Sequence, residues 1–213
     1  MKKIFYLIAI ILIGCYEDDT QRLESENTSH RSSDITTYIR SMSLHNAAYD
    51  DVVDGSTCFS IEFPYELSVN DNIRTISSIQ ELDELHSEDD IQIIYPVSAV
   101  FFNYDRHQMS SESDLNFVKQ TCESDFNINS NACLDFQFPL TVKMYNRVGN
   151  DFHTIHLHSN EDIYKHFDNL HDTDVYELDY PILLSDTHLN TTISINSNLE
   201  FESLFHNTLE DCE

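Results

Sequence analysis

Glycine, tryptophan and basic residues are what this sequence has least of. Three glycines and no tryptophan occur in 213 residues. A dinucleotide fingerprint, a Walker loop and a Gly-x-Ser-x-Gly elbow each need clustered glycines, and Gly14, Gly55 and Gly149 stand far apart. Those classes are excluded. Lysine and arginine together number 11 against 38 acidic residues, a formal net charge of −27. Such a field repels phosphate backbones and anionic lipid surfaces, so no nucleic-acid partner is expected. Hydrophobic residues still make up 40% of the chain, enough for the cores of one or two small domains.

Lys2 and Lys3 precede an apolar run from Ile4 to Ile13. That run is too short to span a bilayer as a permanent helix. Leu12-Ile13-Gly14-Cys15 is similar to a bacterial lipobox. The resemblance implies a signal peptide over residues 1–14, cleavage before Cys15, and acylation of the Cys15 sulfur and its new amine. The expected partner is then a membrane, held through the N-terminal lipid. No other cofactor is expected. The acidic run Tyr16-Glu17-Asp18-Asp19 resembles the surface-export signal of Bacteroidota lipoproteins. That places the protein on the outer membrane at the cell surface, with a periplasm-facing anchor as the alternative. Residues 15–34 are polar and charged and read as a flexible tether. Ile35, Tyr38, Ile39 and Met42 recur at helical spacing, so 35–55 reads as a short helix followed by a loop.

The four prolines organise the remainder. Each follows an aromatic residue: Phe63-Pro64, Tyr95-Pro96, Phe138-Pro139 and Tyr180-Pro181. Each pair sits in an apolar segment, and the first alternates Phe59, Ile61, Phe63, Tyr65, Leu67 and Val69 along one face. Period two marks a strand with a buried face, so the aromatic residues are expected to point inward. Proline lacks the ladder N–H, so an edge strand or a bulge is expected at each pair. Polar turns follow, then second strands near 73–77, 106–110, 152–158 and 190–196. Four helix starts come next: Ser78-x-x-Glu81, Ser111-x-x-Asp114, Ser159-x-x-Asp162 and Ser197-x-x-Glu200. A serine cap with an acid three residues on satisfies orphan N–H groups and suits the positive helix end.

The unit is strand, turn, strand, helix, written four times. It resembles repeat modules in uncharacterised lipoproteins of Bacteroidota, of flavobacterial type, with their Cys-Phe-x-x-x-Phe-Pro segments. The resemblance covers roughly residues 56–212 and implies architecture and location, with no activity attached. The expected fold class is α+β. Two tandem two-layer domains, 56–123 and 131–213, would each form an antiparallel four-stranded sheet from two ββα repeats, with the helices on one face.

Cysteines frame these halves. Cys58 and Cys133 open them, and Cys122 and Cys212 close them. Four cysteines allow three pairings. The repeat symmetry favours Cys58–Cys122 and Cys133–Cys212 in an oxidising compartment. No Cys-x-x-Cys occurs to favour zinc instead.

Metal candidates are weak. In His153-Thr-Ile-His-Leu-His158, alternation sends His156 and His158 to the solvent face, where an i, i+2 pair can grip a metal. A solvated strand face is the favoured account of them. Asp125-x-Asn127-x-Asn129 imitates the start of a calcium loop, but Ser130 stands at the glycine place and Phe136 at the place of the bidentate glutamate. Asp50-Asp51-x-x-Asp54 and Asp89-Asp90 read as loop acids. No catalytic residue is singled out. The leading expectation is a non-catalytic, lipid-anchored surface protein, a binding or scaffold module for a protein or glycan ligand. A divalent-cation-dependent adhesion module using calcium and a carboxylate-based envelope hydrolase are the alternatives.

Overall fold

The computed structural model describes residues 26–125, 133–146, 148–149, 151–187 and 189–211. An N-terminal segment carries β1 (Thr28–His30), α1 (Asp34–Met42), a 3-10 turn (Ala48–Asp50) and α2 (Asp51–Asp54). Four units of one pattern follow. The first contains β2 (Phe59–Ile61), β3 (Tyr65–Val69), β4 (Asn72–Ile76) and α3 (Ile79–Leu82). The second contains β5 (Ile91–Ile94), β6 (Val97–Phe101), β7 (Arg106–Met109) and α4 (Glu112–Asp125). The third has β8 (Leu134–Phe136), β9 (Leu140–Asn146), β10 (Asp151–Leu157) and α5 (Asn160–Asp168). The fourth has β11 (Asp174–Leu178), β12 (Ile182–Asp186), β13 (Thr191–Ile195) and α6 (Asn198–Asp211). The fold is mixed, with all strand pairs antiparallel.

The expected four-stranded sheets are corrected by the strand order. The first two units form sheets β4-β3-β5 and β2-β6-β7. The last two form β1-β11-β9-β10 and β13-β12-β8. The first strand of each unit therefore leaves its own unit and pairs with the middle strand of its neighbour. Phe59 lies opposite Phe101, and Val69 opposite Ile91. Phe136 lies opposite Leu184, and Val142 opposite Leu178. The exchange is reciprocal, so paired units interlock.

The prolines mark the switch. The expected single long strand is broken at each one, between β2 and β3, β5 and β6, β8 and β9, and β11 and β12. All four aromatic-proline peptide bonds are cis. Alternation continued across these breaks because both strands send their inward residues to one core. Phe59, Ile61, Tyr65 and Leu67 share a cluster with Ala99, Met109, Leu115 and Val118. Phe63, Tyr95 and Tyr180 pack partly buried against the cores. Phe138 departs from the inward expectation and is 40% exposed.

Local chemistry repeats too. In all four units the acid three residues after the serine accepts the N–H preceding that serine: Ser77 to Glu81, Ser110 to Asp114, His158 to Asp162 and Asn196 to Glu200, at 2.6–3.0 Å. Ser111, Ser159 and Ser197 accept in return from the acid's own N–H. These three are capping boxes with the reach-back shifted one residue upstream, whereas Ser78 makes no side-chain cap bond and its unit keeps only the Glu81 half. Asn70 and Asp71 both adopt positive φ, 51° and 65°, in the two-residue turn joining β3 to β4.

The tether expected over 15–34 is corrected at its C-terminal end. Thr28–His30 pair with β11 as the sheet's outer strand. Ile35, Ile39 and Met42 of α1 belong to the core of the last two units. The Thr36 hydroxyl lies 2.8 Å from the Tyr176 hydroxyl inside it. The chain then crosses to the first half, where the His45 N–H donates to the Phe102 carbonyl at 2.9 Å. The expected loop from Asp50 is corrected as well, because the 3-10 turn and α2 pack onto β2.

Candidate functional site

β9, β10, β11 and α5 build a cavity of about 450 Å³ at one end of the second half. Its floor is apolar, from Met144 and Leu170. Register places the polar walls: His153 stands opposite Met144, and Asp174 opposite Asn146. α5 adds Lys165 and His166, and Asn169 caps its C-terminal end. His153 shares strand parity with Ile155 and Leu157, so its ring lies on the helix-covered face.

Two buried polar atoms of the residues that line this cavity have no hydrogen-bond partner. The Asp174 side chain is 8% exposed, and its Oδ1 is buried and unbonded. Its Oδ2 accepts the His171 N–H at 2.9 Å. The His166 Nε2 is buried and unbonded as well. Burial holds the His166 imidazole below its ordinary range, opposed by the Asp174 charge and reinforced by His153. A buried polar atom without a partner is uncommon and calls for an explanation, because its desolvation is uncompensated. The other polar walls are committed. Lys165 Nζ lies 2.5 Å from Glu161 Oε1, Asn146 Oδ1 accepts the N–H groups of Val148 and Gly149, and Asn169 Nδ2 donates to the Lys165 carbonyl.

A second cluster lies in the first half. Asp50 and Asp54, expected as loop acids, are 0% and 1% exposed. Asp50 Oδ2 accepts the Ile61 N–H at 2.7 Å, and Asp54 Oδ1 accepts the Ser56 N–H at 2.9 Å. Asp50 Oδ1, Asp54 Oδ2 and the Tyr65 hydroxyl are left without partners. Burial pushes the Asp50 carboxyl up to about 7. Burial and then the Asp50 charge push Asp54 up to about 8. Gly55 ends α2 with φ +65°, and a Cβ there would meet Lys119 Nζ at 2.9 Å. The left-handed backbone favours glycine there, while the lysine tip is flexible enough to move aside.

Beside the disulfide is an apolar groove of about 320 Å³ between β6, β7 and α4. Phe101, Phe102, Phe117 and Val118 line it.

The residues singled out by sequence fall elsewhere. His156 projects from the opposite sheet face and meets the Thr141 hydroxyl at 3.1 Å. His158 lies just beyond β10, where its backbone joins the Asp162 capping box. Asp125 ends α4, and its side chain is outside the described residues. No group of three or more metal-ligating side chains forms among the described residues. Cys58 and Cys122 form a disulfide, with Cα atoms 6.2 Å apart. Cys133 is also disulfide-bonded. Cys15 and Cys212 lie outside the described residues, as do the signal peptide and the link from 126 to 132. Among the described residues no helix is long and apolar enough to cross a membrane.

His166 and Asp174 carried no signal by themselves in the sequence. Each is one of many histidines or acids, and only the packing of α5 on β11 brings them together. The signal that was present is parity: His153 falls on the inward face of its own strand. No family model, curated protein or solved structure matches the chain.

Proposed function

We propose that this chain is a non-catalytic, lipid-anchored protein of the bacterial outer membrane, displayed at the cell surface as a binding module. The observation that carries the reading is the buried Asp174, whose Oδ1 has no partner, lining an open cavity on a doubled, interlocked scaffold. Open cavities with a few uncommitted polar atoms are the usual form of a ligand site. The anchor is Cys15, with residues 1–14 as the signal peptide. Strand β1 starts at Thr28, so the stretch between Cys15 and that strand is the tether. The halves 56–123 and 131–213 act as tandem units, each closed by a disulfide, with Cys133 paired to Cys212. The kinship is with Bacteroidota lipoproteins that carry aromatic-proline repeat modules.

Mass spectrometry of the N-terminus and fractionation of cells test the anchor. Wild-type protein is expected in the membrane fraction with acylated Cys15, accessible to protease on intact cells. Cys15→Ser is expected to lose the lipid and leave the membrane fraction. A wild-type chain with an unmodified Cys15, or purified protein that hydrolyses glycans or peptides at useful rates, overturns the reading.

A further inference from the structure

We infer that the cavity between α5 and β11 binds a primary alkylammonium group, with its nitrogen on Asp174 and its alkyl stem on Met144 and Leu170. The inference rests on the reading of the chain as a binding module and names the ligand class of that cavity.

The uncommitted atoms select the chemistry. Asp174 Oδ1 is an acceptor only, buried and without a partner. His166 Nε2 is also buried and unpartnered. With the ring neutral and its proton on Nδ1, Nε2 accepts. Burial favours that neutral form. The exposed His153 ring at the rim offers a third acceptor. An ammonium head has three N–H donors, and these three sites match them in number. The floor is apolar, which suits a short methylene stem.

Charge selects the same class. The Lys165 ammonium is held by Glu161, so it does not offset Asp174. Asp151 flanks Asn146 from the other strand. The whole chain carries −27, a field that attracts cations and repels anions. An anionic ligand meets an uncompensated buried carboxylate here. A neutral alcohol satisfies Asp174 without neutralising it.

The test titrates the full chain with n-butylammonium, 1-butanol and butyrate, followed by histidine ring NMR signals and calorimetry. Saturable binding of n-butylammonium is expected, with His166 and His153 signals shifting together. 1-Butanol and butyrate are expected to bind at least tenfold more weakly, roughly the factor that a charge-assisted hydrogen bond contributes. Asp174→Asn keeps an oxygen for the His171 N–H and is expected to weaken n-butylammonium about tenfold or more. His166→Leu, a second lesion in the same cavity, is expected to weaken it as well. His156→Ala, on the opposite sheet face, is expected to leave it unchanged.

No saturable shift in the wild-type chain overturns the inference. So does equal binding of 1-butanol, or undiminished affinity in Asp174→Asn. Zinc shifting the same signals where n-butylammonium does not also overturns it, in favour of a metal site. An acylated, membrane-bound chain that ignores n-butylammonium defeats this inference alone and leaves the anchor intact.

Discussion

Arg106 of β7 and Glu161 of α5 join the two halves of the chain, with Nη1 2.9 Å from Oε1 and Nη2 3.3 Å from Oε2. The same guanidinium reaches Glu62 through Nε at 2.9 Å. Glu161 also holds Lys165, so one carboxylate takes two cations. Hydrogen bonds from Arg106 and then Lys165 hold the Glu161 carboxyl down to about 2. Nearby, the Tyr104 and Tyr164 rings lie 6.0 Å apart, and the Tyr104 hydroxyl donates to the Ser43 carbonyl at 2.9 Å.

Arg106→Ala is expected to loosen this junction. Both side chains are partly exposed, so solvent screening limits the loss to about 1 kcal/mol or less. Glu161 has its carboxyl depressed, so its contribution is complete above the ordinary carboxylate range and disappears as pH falls toward 2. Urea unfolding of the single and double variants with Glu161→Gln measures the coupling. Additive effects at neutral pH contradict a working pair.

The acid pair Asp50–Asp54 has the opposite sign. The folded chain keeps protons to about 7 and about 8 on groups that release them near 3.8 when unfolded. Stability is therefore highest at acidic pH in this respect and falls as pH rises from about 4 through 8. Ionising them is expected to cost on the order of 4–6 kcal/mol per group, more for Asp54 than for Asp50. Asp54→Asn retains the acceptor for the Ser56 N–H and removes one titration. Denaturant midpoints between pH 5 and 9 are expected to flatten in that variant. An unchanged slope refutes the assignment.

Reduction of Cys58–Cys122 releases a loop with a sequence separation of 64. In the chain-entropy model this lowers stability by about 4 kcal/mol. Thermal unfolding of Cys58→Ala/Cys122→Ala against wild type reads the loss. It is expected in the first half, with the core around Phe167 and Tyr176 retained.

Ile39→Ala tests whether α1 belongs to the second half. Ile39 is fully buried in that core, and truncation to alanine is expected to cost about 3 kcal/mol. Hydrogen exchange is expected to accelerate at β9 and β11 while β3 and β6 keep their protection. Uniform acceleration contradicts the placement.

Local chemistry was readable one element at a time. The four serine-acid starts are helix N-termini because the cap is satisfied within a few residues of itself. The strands β4, β7, β10 and β13 follow alternation and turn residues that are likewise close neighbours. The packing of Leu82, Leu115, Ile163 and Phe201 into the cores follows from helical spacing. Strand partnership was not readable. Phe59 pairs near Phe101 and not within its own unit, and nothing in a run of alternating residues says which neighbour completes the ladder. The proline breaks were hidden for a related reason: both flanking strands face the same core, so the period passes through undisturbed.

Composition and short-range order determined the charge, the repeat, the caps and the cysteine frame, because those depend on residues near one another in the chain. Tertiary structure alone decided the strand exchange, the use of β1 and α1 to complete the second half, the burial of Asp50 and Asp54, and the meeting of His166 with Asp174. Each of these depends on which distant surfaces exclude water together, and that is a property of the packed chain and not of any segment within it.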